Sequence, residues 1–472
     1  MRGSRRRVAR LQAWTQNAAE EVGTMTHPRL RRRPALWLQN QPLDVFEREE
    51  TPLVIERGEG IYVWDREGRR YIDALSGLWV VAAGHGRAEL ASAGAEQAQR
   101  LAYANTFAYA TEPALELAEE LVELAPPGFS KVHFANSGSE AVEIALKIAK
   151  QYHYNLGQGK RYKVISRIGS YHGQTAGALS VNGASYAVRP PFEPLVPGVV
   201  RVPGVNCAHC PYEKTYPSCG VYCARAVAGF IEAERPETVA AVIAEPISVA
   251  NGNFVPPVEY WQTLREVCDA YGVLLIADEV INGFGRTGRW WGIDHFGVVP
   301  DLITVAKQLS SGYAPIGAVL VHERVATAFE GGPERAFVSG LTFAGHPVAC
   351  AVAKANLGIL RRERLPEHAA DVGAYLGERL REMARGRRVV AEVRGVGLLW
   401  ALEIVRDKES GAPFPARELS QWLEGALRRR GLLTRAGALL YLAPPLITDR
   451  EEADAITDIV DNALAELERS GL

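Results

Sequence analysis

Six short apolar runs constrain this chain more than any other feature: Val132–Ala135, Val164–Ser166, Val239–Ala244, Val273–Ala277, Ile303–Val305 and Ala318–Val321. Several are separated by stretches of helical periodicity, at Glu140–Tyr152, Arg225–Glu234 and Tyr260–Tyr271. A strand that reads apolar at every position is buried on both faces, and helices between such strands supply the cover. The expectation is an α/β protein with a mainly parallel sheet. Beyond Pro347 the rhythm changes. Two long helical patterns (about 347–361 and 367–385) lead into short strands at Glu392–Val396 and Leu398–Ile404, then a helix near Ala416–Arg430. A strand at Leu439–Ala443 and a helix at Arg450–Glu468 complete a smaller α+β part. At the other end, Ile61–Trp64 and Arg70–Asp73 flank a four-residue turn and predict a hairpin.

These patterns divide the chain into a basic arm (1–40), a hairpin segment belonging to the smaller domain (41–80), a large α/β domain (81–345) with an insertion at 204–224, and the smaller α+β domain (346–472). Nine arginines against two glutamates mark residues 1–33, read as a disordered extension ahead of a possible start at Met25, rather than a transit peptide. A net charge of −2 favours neither nucleic acid nor anionic lipid, and no apolar run is long enough to span a bilayer. Six cysteines in 472 residues suit a reducing compartment, so the expectation is a soluble, cytoplasmic protein.

Lysine is scarce: of 53 basic residues only nine are lysines. Lys307 alone follows an apolar strand and precedes a small-residue turn, Ser310-Ser311-Gly312. Twenty-nine positions earlier, another strand ends on Asp278. Neighbouring parallel strands would put that amine and that acid at one sheet edge, outside the carboxyl ends where open α/β sheets bind ligands. An amine able to form an imine, beside an acid able to pair with a pyridinium nitrogen, is the minimum equipment for pyridoxal phosphate chemistry. Arginine cannot form that imine.

Other residues fall near the same edge. Ser137-Gly138-Ser139-Glu140 opens a helix with capping-box spacing, so the amides of Gly138 and Ser139 are available to an anion. Tyr171 is suited to stacking on an aromatic cofactor, and Gly173 permits close approach. His172 reads first as a structural hydrogen-bonding histidine beside the cofactor. Glu245 ends a strand, where its carboxylate either contacts the cofactor or is a solvated strand end, and Val280 is suited to packing on the ring face opposite Tyr171.

In this order these stretches resemble the class III pyridoxal phosphate-dependent aminotransferases, of the fold-type-I group. The resemblance runs from about Gly58 to about Glu468. It includes Ser76-Gly77-Leu78-Trp79, Leu341-Thr342-Phe343-Ala344-Gly345-His346-Pro347 and Arg394-Gly395-Val396-Gly397. It implies that Lys307 carries the cofactor and Asp278 pairs with its ring nitrogen. It also implies that Gly138 and Ser139 bind phosphate with Thr342 of a second subunit, and that Tyr171 and Val280 sandwich the ring. Trp79 and Arg435 look most like the ω-amino acid or amine:pyruvate branch. Trp79 and Phe107 would line the amine pocket, and Arg435 would clamp a carboxylate. The implied substrates are an amine donor and a keto acid, and the implied assembly is a homodimer or dimer of dimers. A 4-aminobutyrate or diamine:2-oxoglutarate transaminase, an aminomutase and a decarboxylating transaminase are the alternatives.

Four cysteines crowd the insertion as Cys207-x2-Cys210 and Cys219-x3-Cys223. Zinc ligation, two disulfides and reduced thiols all fit this spacing, and no metal is assigned from sequence.

Overall fold

The computed structural model describes residues 34–47, 52–184, 189–470 and Leu472, so the arginine-rich stretch 1–33 lies outside it. The chain divides into two units, Met1–Ile55 and Glu56–Leu472. In the first, a 3-10 turn at Val45–Glu47 buries Val45. No helix among the described residues is long and apolar enough to cross a membrane.

The second unit is built on a seven-stranded sheet of β1 (Phe129–Ala135), β2 (Lys163–Arg167), β3 (Val199–Val202), β4 (Val239–Ala244), β5 (Leu274–Asp278), β6 (Leu302–Val305) and β7 (Gly317–His322). Their order is β1-β7-β6-β5-β4-β2-β3. The pairs from β6 through to β3 are parallel, whereas β7 runs antiparallel to both β6 and β1. The reversal follows from connection length. Residues 306–316 between β6 and β7 are too few for a helical crossover, so the chain turns back.

The central strands bury both faces by alternation. Ala241, Ile243, Leu274 and Ile276 pack with Val142, Ile144 and Ile148 of the helix Gly138–Asn155. Val242, Ala244, Leu275 and Ala277 face the other way, toward Tyr260, Trp261 and Leu264 of the helix Val258–Tyr271. This two-sided burial explains the uninterrupted apolar runs.

The hairpin forms at Tyr62–Asp65 and Arg70–Asp73, with Tyr62 opposite Ile72. Its second strand also pairs in parallel with Leu432–Leu433, which joins the early segment to the C-terminal part. That part holds the helices Pro347–Arg362, Leu365–Arg385, Ala416–Arg429 and Arg450–Arg469. Its antiparallel sheet consists of Val390–Val396, Leu399–Ile404 and Leu439–Leu442. Buried Arg286 ties three segments together. It donates to the carbonyls of Leu398 and Pro444, at 3.0 and 2.5 Å, and to Ser76 Oγ at 3.1 Å. Desolvation lowers its pKa to about 9, against the opposing pull of Asp73.

Candidate active site

Strands β5 and β6 deliver the acid and the amine to one edge. They pair in parallel with Asp278 opposite Thr304, and Lys307 follows β6 after one further residue, Ala306. Lys307 has φ +43°, a left-handed backbone that costs a non-glycine residue energy and must be held by its surroundings. The holding group is Asn356, fully buried on the helix Pro347–Arg362. Its Nδ2 donates to the carbonyls of Gln308 and Leu309 at 2.8 and 3.1 Å, and its Oδ1 accepts from Ser311 Oγ at 2.6 Å. The lysine turn is thereby bolted to a packed helix.

Lys307 is only partly buried as a residue, yet desolvation of its amine pushes the pKa down to about 8, against the pull of Asp278 in the other direction. At pH 7 about a tenth of such an amine is unprotonated, compared with about one part in three thousand for an ordinary lysine. The sign is clear, because burial disfavours the ammonium and the nucleophilic form gains as pH rises. The rate at which the apoprotein captures added pyridoxal phosphate should climb through about pH 8 and level off above it. Stopped-flow absorbance would read this; a rise continuing beyond pH 10 would contradict the depressed pKa.

Asp278 is buried and holds three donors. His172 Nδ1 lies 2.6 Å from Oδ2, while Thr304 Oγ1 and the Val280 amide donate to Oδ1 at 3.0 and 3.1 Å. With the aspartate ionised, Nδ1 of His172 carries the proton. Asn182 fixes that histidine, accepting from its backbone amide at 2.5 Å and donating to the Gly173 carbonyl at 2.7 Å. Among the described residues the buried Nε2 atom of His172 has no hydrogen-bond partner.

At the phosphate-type turn, Ser137 caps its helix, accepting from the Glu140 amide at 3.2 Å. The return half of the expected capping box differs. The Glu140 carboxylate accepts from Asn136 N at 2.7 Å, one residue before the cap, so the box closes on the strand end. Gly138 is required by close approach, since a Cβ there would lie 2.8 Å from Val280 Cγ1. Gly173 is required too: its φ is +134°, and an added Cβ would meet Ser139 Oγ at 2.5 Å. Ser139 Oγ also accepts from the Gln174 amide at 3.0 Å. The structure therefore brings Gly138, Ser139, Val280 and the Tyr171-His172-Gly173 turn together. Gly138→Ala should weaken cofactor binding roughly tenfold or more by pushing Val280 or the turn aside, and Val280→Ala in the same chain should restore most of the loss. A fluorescence titration with pyridoxal phosphate measures both.

Glu245 differs from the sequence expectation. Its carboxylate is paired with buried Arg167 (2.9 Å) and accepts the Tyr171 amide (3.0 Å), so it acts on the site by holding the tyrosine turn rather than by facing a ligand. Trp79 is buried among Leu75, Ile247, Val249 and Leu399, with its ring edge-on to Tyr441 at 5.4 Å. Its buried Nε1 has no hydrogen-bond partner among the described residues. Arg435 is exposed, and its charge reaches Tyr441, so Trp79, Tyr441 and Arg435 follow one another. Phe107 is 71% exposed and lies over Gly340, whose Cβ would sit 2.6 Å from its ring. Thr342 is exposed in the loop that follows, and its carbonyl accepts from Tyr103 at 2.6 Å. Within one chain, then, Phe107 and Thr342 belong to a surface rather than to an enclosed pocket.

Sequence reasoning missed Arg167, Asn182, Thr304 and Asn356. Thr304 and Asn356 interrupt mostly apolar elements, which is the available signal, whereas Arg167 ends a strand that already carries Lys163 and Ser166 and gives none. Thr304, for instance, is the polar residue of β6.

The family profile of aminotransferase class-III matches residues 45–464. The chain is a class III aminotransferase. A putrescine–pyruvate aminotransferase of Pseudomonas aeruginosa is 38% identical over 88% of this chain and 91% of its own. A diaminobutyrate–2-oxoglutarate transaminase of Halomonas elongata is 39% identical over 87% of this chain and 90% of its own. A solved amine transaminase from an uncultivated Pseudomonas species, in its pyridoxal phosphate-bound form, superimposes with a TM-score of 0.88 at 39% identity, covering 92% of this chain and 99% of that one. Class III aminotransferases use pyridoxal phosphate, and the residues here fit it. A desolvated amine, a buried aspartate with its histidine, and a glycine turn against Val280 supply an anchor, a counter-charge and a close-approach floor. The substrates of such enzymes are small amines and keto acids.

Proposed function

We propose that this aminotransferase moves an amino group from an ω-amino acid or other primary amine to pyruvate, in ping-pong fashion through Lys307. The observation that carries the reading is the shared edge of β5 and β6, with the Lys307 amine in the field of Asp278 and Asp278 braced by His172. When bound, pyridoxal phosphate supplies a reactive carbonyl carbon and a ring that accepts the electron pair left on the donor carbon. In this reading Lys307 anchors that carbon. Once displaced by the donor amine, its Nζ would take the proton from the donor's amino-bearing carbon and pass it to the cofactor carbon it had held, and in the second half-reaction it would move a proton the opposite way, onto the acceptor's carbon. Asp278 holds the ring nitrogen protonated, and His172 orients Asp278. Ser137, Gly138 and Ser139 receive the phosphate at the helix N-terminus. Tyr171, steadied by Glu245, and Val280 flank the ring.

The amine pocket is assigned to Trp79 and Phe107, and carboxylate recognition to Arg435. Phe107, Tyr109, Val338 and Phe343 expose large apolar surface around the Thr342 loop, which supports a homodimer whose partner brings Thr342 to the phosphate. In the same reading, residues 81–345 form the cofactor-binding body, and 41–80 with 346–472 the smaller one. A cytoplasmic location accords with the cysteine usage.

Pyruvate as acceptor accords with the putrescine–pyruvate relative, and 2-oxoglutarate with the diaminobutyrate relative, so acceptor choice is the point to test. Initial rates with a diamine donor should give parallel double-reciprocal lines, with kcat/KM for pyruvate exceeding that for 2-oxoglutarate by about tenfold or more. Intersecting lines would rule out the ping-pong scheme, and the reverse preference would replace pyruvate by 2-oxoglutarate.

A further inference from the structure

The turn Ser76–Trp79 holds a conformation that the segment would not keep by itself. Ser76 and Trp79 have φ of +50° and +55°, left-handed backbone at two non-glycine residues, with Gly77 at +66° between them. Such strain persists only where the surroundings over-determine it, and it collects at functional sites. The turn also buries the Trp79 Nε1 donor with no hydrogen-bond partner among the described residues, which is a second cost. Leu78 is exposed on the same turn, whereas Trp79 is 5% exposed. Swinging the indole outward would relieve both costs, so the turn must be held.

Asp73, buried at the end of the hairpin strand, does this. The Gly77 amide donates to both of its oxygens, at 2.9 and 2.7 Å, and the Leu75 amide donates to Oδ1 at 3.4 Å. His85 Nε2 lies 2.9 Å from Oδ2; with the aspartate ionised, that nitrogen carries the proton. His85 is itself fixed. Its amide donates to the Gly60 carbonyl at 2.8 Å, and its carbonyl accepts from the Gly60 amide at 3.1 Å. Its ring lies against Gly58, where a Cβ would sit 2.7 Å from Cγ. Ser76 is pinned from the far side, donating to the Ala443 carbonyl at 2.6 Å and accepting from Arg286, which lies in the field of Asp73. The same segment runs on to Ala83, whose amide donates to Ser311 Oγ at 3.0 Å, in the turn that Asn356 holds beside Lys307.

We propose that Asp73 and His85 are positioning residues for amine recognition, locking the strained turn so that Trp79 is presented to the donor. This rests on the assignment of Trp79 to the amine pocket. A carboxylate that merely capped the turn would need only the backbone donors. The histidine comes from another segment and fixes the orientation of the carboxylate, and with it the way the turn presents the indole. Without the histidine, Asp73 still accepts from Gly77 but is free to rotate, so the ring is less well placed rather than lost. The cost then falls on donor binding, not on the proton transfer assigned to Lys307.

The test compares the holoenzyme with its His85→Ala and His85→Gln variants, each also made on a Trp79→Ala background. His85 is half-buried, so both variants should fold; Asp73→Asn is the stronger perturbation and should move every readout in the direction of His85→Ala. With the diamine donor and pyruvate, His85→Ala should raise the donor KM about tenfold while kcat stays within about threefold of wild type. His85→Gln, which keeps a donor to Asp73, should stay within about threefold on both. Amide hydrogen exchange in residues 74–81 should quicken about tenfold in His85→Ala and not in His85→Gln. On the Trp79→Ala background the His85→Ala change should add less than about twofold, because the group it positions is gone. A lower kcat at unchanged KM, or a further loss of about tenfold without Trp79, would overturn the positioning role. If Trp79→Ala alone leaves the donor KM unchanged, the pocket assignment fails and the proposal with it. A large Trp79→Ala effect beside a silent His85→Ala overturns the proposal and leaves the pocket assignment standing.

Discussion

Lys307→Ala is expected to lower turnover by at least about four orders of magnitude, equivalent to about 5.5 kcal/mol of transition-state stabilisation. The loss follows from chemistry rather than folding. In the proposed reading the variant lacks both the amine that anchors the cofactor carbon and the base that moves the donor's proton, and the next lysines in sequence are Lys214 and Lys354. The turn itself should survive, since Asn356 grips the backbone of Gln308 and Leu309 rather than the lysine side chain. Alanine at φ +43° pays the same strain that lysine already pays. The variant should therefore stay folded, with noncovalently bound cofactor, and a thermal melt alongside single-turnover kinetics separates the two effects. Lys307→Arg should be equally inactive, because its guanidinium stays protonated. Activity within about tenfold of wild type in either variant would remove Lys307 from the chemistry.

Asp278→Asn is the second large effect, expected to reduce kcat by roughly two to four orders of magnitude. Asparagine is nearly isosteric, so packing is kept and the charge opposite the ring nitrogen is lost. The amide also meets three groups that now donate to a carboxylate, His172 Nδ1, Thr304 Oγ1 and the Val280 amide, and cannot accept from all of them in the same geometry. Thr304→Val gives the scale of one hydrogen bond without a charge change, about three- to tenfold. If Asp278→Asn costs no more than Thr304→Val, the aspartate is a structural brace, and ring-nitrogen charge is not what it supplies.

The strand–helix alternation and the pairing of Asp278 with Lys307 were legible because both rest on short-range pattern: apolar runs fix strands, and their polar ends mark the functional edge. Two features were hidden for the same physical reason. The antiparallel return of Gly317–His322 depends on the shortness of residues 306–316, and composition alone does not report which neighbour a strand will choose. Glu245 reads as a free acid at a strand end, and only the tertiary arrangement reveals Arg167 beside it. Val199–Val202 escaped notice as a four-residue strand beside an irregular loop. The helices Ala88–Arg100 and Glu112–Leu124 were passed over although both carry a clear helical apolar face. Trp79 reads from the resemblance as a residue of the amine pocket. It belongs to a packed cluster with Tyr441, and its enclosed Nε1 points to the pocket reading as well. Phe107 and Thr342 are exposed on the chain, and exposure is a tertiary property that their sequence neighbours do not report.

The most direct measurement is the visible absorbance spectrum of the purified protein supplied with pyridoxal phosphate, taken before and after a diamine donor and again after pyruvate. An aminotransferase working through Lys307 should show a visible band that the donor bleaches within the turnover time and that pyruvate brings back, with neither change in Lys307→Ala. A protein with no visible band after saturation with the cofactor, or a band that amines and keto acids leave untouched, would contradict the account.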